Sequence, residues 1–409
     1  MINMNQKLFV PTTSLDKALD SIHADFSPEE MQDYGTRMRE VIKRARRGAV
    51  PQAPKAWDYH MVSNQPLVWI FAGCPWFNTG GGCSVCDGYG KNDGVDVDEA
   101  IEDALDFIRK DASQKFVSGQ SFYTLNLGSS CTLGLPEEAR TSMFTGADEI
   151  LRPFAEDGRD ALYLCESRLT DITERKIAEM RRYIRDDVRI EIGVGLEASS
   201  DFVRNVMINK GYPVNAISLL KQVVDITGPY NVGIESHSLL GIPGLTELES
   251  IASAVETTSG MIDAGVARAV LMTTNIKKAP CLASELYRSG KFSLPSVHAT
   301  AEVIRTLNER GYYNFLVHGF AASDPTEAFA EGCECCTDRM RNIFDTYGQT
   351  LLRNGERAAA DYFKTANTDC GCKEKWLAER MAEADGPILA DRFEGWLCQL
   401  EERYGCERC

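Results

Sequence analysis

Between about residues 66 and 320, short apolar runs alternate with longer amphipathic segments, and this alternation constrains the chain more than any other feature. The runs expected as strands are 67–72, 121–127, 161–165, 188–194, 231–236, 267–273 and 313–318. The segments expected as helices are 97–110, 137–154, 174–186, 201–210, 215–227, 247–264 and 298–309. Alternation of this length predicts a parallel sheet, and six or seven repeats suit a full or partial barrel. No G-x-G-x-x-G follows the first strand, which argues against a dinucleotide-binding sheet. In a barrel, functional groups gather at the C-terminal ends of the strands. The unusual residues fall there: a cysteine loop after the first strand, Gly128-Ser129-Ser130 after the second, Glu166 and Arg168 after the third, and 195–200 after the fourth.

The flanks read differently. Residues 1–60 are expected to form an N-terminal helical segment, with Ser27 as a helix cap, Pro28 in the first turn and a stop at Gly48. Pro51 and Pro54 then mark a linker. Residues 66–320 form the barrel region, and 321–409 an acidic, helical, cysteine-rich C-terminal extension. The N-terminus lacks a secretory pattern and no run approaches the length of a membrane span, so a cytoplasmic protein with no membrane association is expected.

The cysteine loop lies within Ile70 to Tyr89, IFAGCPWFNTGGGCSVCDGY. Thiolates are soft ligands that suit iron–sulfur clusters or zinc. A closed zinc site wants four ligands, and this loop offers three, Cys74, Cys83 and Cys86. They fit three irons of a [4Fe–4S] cluster, leaving the fourth iron for a substrate or cofactor. Zinc completed by a remote cysteine is the competing reading. Glycines 80, 81, 82, 88 and 90 let backbone wrap closely, and Trp76, Phe77 and Tyr89 can shield the site. Of the fourteen cysteines, Cys333, Cys336, Cys370 and Cys372 give four-ligand spacing for a second site, zinc or Fe–S, with Cys335 as an extra thiol. Cys398, Cys406 and Cys409 could complete a site or be incidental, and Cys165 reads as a small buried hydrophobe.

Three cysteines at the first strand end of a barrel resemble the radical S-adenosylmethionine (radical SAM) superfamily. The spacing here, C-x8-C-x2-C, is longer than the common C-x3-C-x2-C and resembles the branch around the elongator catalytic subunit. Three further segments, YLCESRLTDITE (163–174), EIGVGLEASSDFVRNVMINKG (191–211) and TNIKKAPCLASELYRSG (274–290), look like the archaeosine synthase radical SAM subunit (RaSEA) and its bacterial relatives. The resemblance implies a partial (β/α)6-type barrel in an α/β fold. It implies cluster ligation by Cys74, Cys83 and Cys86, and SAM contacts from Gly128, Ser129, Glu166, Arg168 and Glu197, with Asn205 and Asn275 as weaker candidates. It also implies an electron donor such as flavodoxin or ferredoxin. His237 and His318, near strand ends, are further weak candidates. Glu166 with Arg168 also reads as a buried ion pair, and 199–201 as a helix cap.

Net charge is −16, unlike a general nucleic-acid binder. The basic run from Arg37 to Arg47 reads as a solvated helix face or as a patch for a polyanion. A small-molecule substrate is therefore favoured over tRNA. The open alternatives are archaeosine-type C–N cleavage on a modified deazaguanine in tRNA, aminocarboxypropyl transfer from SAM of the arsinothricin type, and a non-catalytic Fe–S or zinc protein.

Overall fold

The computed structural model describes residues 9–47, 56–62, 65–70, 74–86, 96–128, 131–277, 281–319 and 326–406. The strands are β1 (Trp57–Val62), β2 (Gln65–Ile70), β3 (Phe122–Gly128), β4 (Asp160–Glu166), β5 (Arg189–Glu197), β6 (Val232–Leu240), β7 (Arg268–Thr273), β8 (Ile276–Lys277), β9 (Phe315–His318) and β10 (Thr326–Ala328). The helices are α1 (Thr12–Ile22), α2 (Pro28–Arg47), α3 (Pro75–Gly80), α4 (Val97–Val117), α5 (Glu137–Glu156), α6 (Glu174–Tyr183), α7 (Ala216–Thr227), α8 (Glu247–Asp263), α9 (Leu282–Arg288), α10 (Val297–Glu309), α11 (Thr337–Asn354), α12 (Glu356–Thr365), α13 (Gly371–Ala384) and α14 (Leu389–Tyr404). Eight strands form one open sheet in the order β1-β2-β3-β4-β5-β6-β7-β9. β1 pairs antiparallel with β2, and the remaining pairs run parallel. β8 and β10 form a separate antiparallel pair. The expected partial barrel is present as this open parallel sheet with helices between its strands.

Side chains alternate across a strand, so register decides which residues share a face. Leu125, Tyr163, Ile192, Ile234, Leu271 and Val317 are buried on one face. Helices α4, α5, α7, α8 and α11 pack against the strands. Each such side chain contributes about 1.5–3 kcal/mol of burial. Cys165 is fully buried, as expected. The opposite face is polar. Glu166 is level with Gly193, Gly193 with Glu235, Gly195 with His237 and Glu235 with Arg268.

A second apolar cluster joins the two ends of the chain. Ile22, Met38, Val41 and Ile42 pack with Phe202, Val203, Phe393 and Leu397. Phe26 stacks on Phe202 at 3.7 Å, and Tyr34 meets Phe393 edge-on at 5.2 Å. α2 starts as expected: the Ser27 hydroxyl accepts from the Glu30 N–H (3.2 Å), and the Glu30 carboxylate accepts from the Ser27 N–H (2.8 Å). Part of the basic run of α2 is used within the molecule. Arg37 pairs with Glu394 (2.9 Å) and Glu401 (2.7 Å) of α14, and Arg44 with Glu40 (2.7 Å).

Two local differences from the expectation have physical causes. β1 falls where a linker and helical segment were expected, because its residues become a strand only by pairing with β2, Trp57 opposite Ile70. The helix expected over 201–210 contains a π-helical turn, Val203–Met207. Ser200 caps this turn, accepting from the Val203 N–H (3.4 Å) while donating to the Ile22 carbonyl (2.8 Å), in keeping with the cap reading. Among the described residues no helix is long and apolar enough to cross a membrane.

The buried pair Arg140–Glu179 joins α5 to α6 through two bonds of 3.0 and 2.7 Å, with both side chains under a tenth exposed. Arg140→Ala strands the Glu179 charge and should cost about 3–5 kcal/mol in urea unfolding, whereas Arg140→Met with Glu179→Leu should recover most of that loss. An unchanged unfolding midpoint for the single variant would refute this.

Candidate active site

Cys74 precedes α3, and the chain then turns through Gly81 (φ 83°) and Gly82 (φ 75°) to Cys83 and Cys86. A β-carbon at Gly82 would run into the Arg46 guanidinium and the Phe77 ring, so only glycine permits this turn. The loop is held from three sides. Arg46 of α2 donates to the carbonyls of Gly81, Cys83 (2.5 Å) and Cys86 (3.0 Å) and stacks over Phe77 at 4.7 Å. Asn209, itself in the left-handed region (φ 58°), donates to the carbonyls of Gly80 (2.8 Å) and Gly82 (2.7 Å). Its own carbonyl accepts from the Trp76 indole at 2.6 Å. Ser84 donates its N–H to Ile208 (2.8 Å) and accepts from Ala283 of α9 (3.2 Å).

Cations gather beside this loop. Arg168 donates to the Lys210 carbonyl (2.8 Å) and lies over the rings of Trp76 (5.3 Å) and Tyr212 (5.0 Å). Among the described residues it forms no ion pair with Glu166, so the ion-pair reading gives way to a cation–π stack. Lys210 pairs with Glu197 at 2.8 Å. Glu197 ends β5 at a bulge with φ 69°, an uncommon backbone for glutamate, and a β-carbon at Gly195 would overlap both Glu197 and Lys210. Burial pushes the Cys83 thiol up, and Lys210 and Arg168 pull it back toward ionisation. Three soft sulfur ligands, loop carbonyls already satisfied by Arg46 and Asn209, and adjacent cations fit a [4Fe–4S] cluster.

The polar face of the sheet continues from there. Arg268 lies between Glu235 (3.2 Å) and Glu191 (3.2 Å), and His237 bonds Glu235 at 3.1 Å. Burial alone would raise Glu235, but the His237 hydrogen bond and Arg268 hold it down to about 2. Burial also tends to lower His237, yet Glu235 keeps it above the usual histidine range. Among the described residues the Glu166 carboxylate makes no hydrogen bond, and burial pushes it up to about 7. It faces the space over Gly193 beside His237. This face fits a polar, charged ligand such as SAM.

Of the other expected contacts, Gly128 ends β3, where a β-carbon would press on Thr132 and Cys165. Asn205 spends its amide on both backbone groups of Tyr212 (2.9 and 3.0 Å). Asn275 is half-buried between β7 and β8. Ser129, Tyr89 and Cys409 lie outside the described residues. The sequence reading missed Arg46, Asn209, Lys210, Glu235 and Arg268 as parts of the site. Charges inside otherwise apolar strand runs were the available signal for Glu235 and Arg268.

The second cysteine set comes together. One sulfur from each of Cys333, Cys336, Cys370 and Cys372 lies within 4.8 Å of the others. Cys333 is 3.4 Å from Cys370 and 3.5 Å from Cys336, and Cys336 is 3.6 Å from Cys372. Cys336 caps α11 and Cys370 caps α13, so two helix N-termini point positive potential at the sulfurs. His298 of α10, absent from the expected set, sets its Nε2 3.1 Å from Cys372. Four thiols so close together suit one tetrahedral ion.

No family model matches the chain. It is 24% identical over 245 residues to an uncharacterised protein of Methanocaldococcus jannaschii, a match that spans 60% of this chain and 61% of that relative, under two thirds of its length. It is 26% identical over 331 residues to archaeosine synthase subunit beta of Methanosarcina acetivorans, covering 77% of this chain and 85% of that protein. Among solved structures, a radical SAM methyltransferase from Sphaerobacter thermophilus aligns with TM-score 0.42 and 16% identity, over 66% of this chain and 73% of that one. Over most of its length this chain is similar in sequence to archaeosine synthase subunit beta.

Proposed function

We propose that this chain is a cytoplasmic enzyme that holds a [4Fe–4S] cluster on Cys74, Cys83 and Cys86, binds SAM beside it, and acts on a small-molecule substrate over the polar face of the sheet. The observation that carries this reading is the braced three-thiol loop beside Lys210 and Arg168, opening onto Glu166, Glu235, His237 and Arg268. When bound, the cluster supplies the electron that cleaves a carbon–sulfur bond of SAM. Arg46 and Asn209 keep the loop fixed, and Lys210 with Arg168 offsets the charge of the thiolates. Gly128 leaves room at the end of β3. Above pH 7 the Glu166 carboxylate, unpaired among the described residues, is an acceptor for a ligand N–H or O–H. Glu197, held by Lys210, is a second acceptor beside it. An electron donor such as flavodoxin or ferredoxin would serve the cluster.

The similarity to archaeosine synthase subunit beta favours a second reading, action on a modified base in tRNA. Against it stand the net charge of −16 and the internal pairing of Arg37, Arg44 and Arg46. At the C-terminal centre, sulfur separations of 3.4–3.6 Å support zinc rather than a cluster. Four sulfurs about 2.3 Å from one zinc stand roughly 3.8 Å apart, whereas a cluster puts several atoms between its thiolates.

Anaerobic reconstitution with iron and sulfide, followed by dithionite and SAM, tests the enzyme reading. The wild type should release 5′-deoxyadenosine, Cys74→Ala should lose cluster iron, and methylthioadenosine instead would point to aminocarboxypropyl transfer. If neither nucleoside appears and Cys74→Ala keeps its iron, the protein is not this enzyme. A salt-sensitive gel shift with tRNA would favour the second reading.

Arg46→Ala removes three charge-assisted bonds to the cysteine loop, each of which contributes on the order of 1.5–3 kcal/mol. Iron should then pass to a chelator about tenfold faster than from wild type, with unchanged far-UV circular dichroism. Equal release rates would count against the brace.

Glu166 is raised from 4.5 to about 7 in the folded chain. The fold therefore bears no ionisation cost below pH 4.5, loses stability as pH rises to 7, and bears the full cost above it. Glu166→Gln should be more stable than wild type at pH 8, by up to ~3 kcal/mol in urea unfolding, with the gain gone by about pH 4. A gain independent of pH would contradict this.

A further inference from the structure

We propose that the C-terminal thiol centre carries a built-in exchange ligand, Cys335, through which a divalent thiophilic ion enters and leaves. The inference rests on the zinc reading of that centre. A closed tetrahedral site needs only four sulfurs, and Cys333, Cys336, Cys370 and Cys372 supply them. Cys335 is exposed, yet its sulfur lies 2.9 Å from Cys333 and 3.2 Å from Cys370. Those two are themselves 3.4 Å apart, so the three sulfurs form a triangle on the solvent side.

Two ligand sets thus share Cys333 and Cys370. The inner set adds Cys336, which is fully buried, and Cys372, which is backed by His298. The outer set adds only the exposed Cys335. The turn that joins Cys333 to Cys336, closed by the Cys336 N–H on the Cys333 carbonyl (3.0 Å), carries Cys335 on its outside. An ion held by Cys333, Cys335 and Cys370 can move inward as its bond to the Cys335 sulfur breaks and bonds to the Cys336 and Cys372 sulfurs form. Cys335 regains a proton from water, and each incoming thiol gives one up. Zinc keeps its oxidation state, and the ion keeps at least three sulfur ligands once the first inner bond has formed. Release runs the same path outward, with a solvent chelator taking the ion from the exposed triangle.

Cobalt(II) substitution in the full chain tests this. Wild type and Cys335→Ser should both show tetrahedral tetrathiolate absorption with affinities within about threefold, while Cys335→Ser hands its metal to a chelator at least about tenfold more slowly. Cys336→Ser should lose the tetrathiolate absorption. Equal transfer rates in wild type and Cys335→Ser overturn the exchange role. Loss of the tetrathiolate spectrum in Cys335→Ser also overturns it, because Cys335 would then be a resident ligand. If the wild type binds neither cobalt nor zinc, the zinc reading itself fails, a result distinct from equal rates in a metal-bound protein.

Discussion

Arg268 sits between Glu191 and Glu235 on a sheet whose other face is largely given to hydrophobic packing. Buried carboxylates are tolerated only when paired, because desolvation of a lone charge costs several kcal/mol. Arg268 serves two of them, His237 adds to one, and Lys210 serves Glu197. Gly193 and Gly195 carry no side chain on this face, and the Glu166, Glu197 and Lys210 side chains take the room above them. Among the described residues Glu166 makes no hydrogen bond or ion pair, and burial pushes its carboxyl up to about 7. Groups perturbed in this way cluster at functional sites, since the fold bears a cost that a ligand can relieve.

The two ends of the chain converge on the cysteine loop. α2 delivers Arg46 to three of its carbonyls, and α14 fixes α2 through Arg37 and its glutamates. The segment after the π-turn delivers Asn209 from the other side. Loop carbonyls that would otherwise compete for the inside of the site are thereby turned to fixed donors. This brace fixes the loop that carries the three thiols, which suits a reactive metal centre that must hold its shape between redox states. The second thiol centre solves a different problem, tying the starts of α11 and α13 to α10 through short sulfur contacts.

Much of the architecture was legible in the sequence. Local patterns carry period and capping information, so each of the seven expected strands overlaps an observed strand, and Ser27 caps α2 as read. The cysteine set at 333, 336, 370 and 372 was legible because spacing alone limits which thiols can share an ion. β1 was not, because an edge strand depends on its neighbour more than on its own residues.

The sequence by itself determined the parallel alternation, the three-thiol loop at the first strand end and the relationship to archaeosine synthase subunit beta. Tertiary structure alone decided what the charges do. The basic run of α2 reads as a solvated face or a polyanion patch, and packing against α14 and the loop turns Arg37 and Arg46 inward instead. Arg168 turned from Glu166 to two aromatic rings, and Lys210 became the partner of Glu197, for the same reason. Long charged side chains take partners several ångströms away, from segments remote in sequence, and local pattern carries no record of those distances.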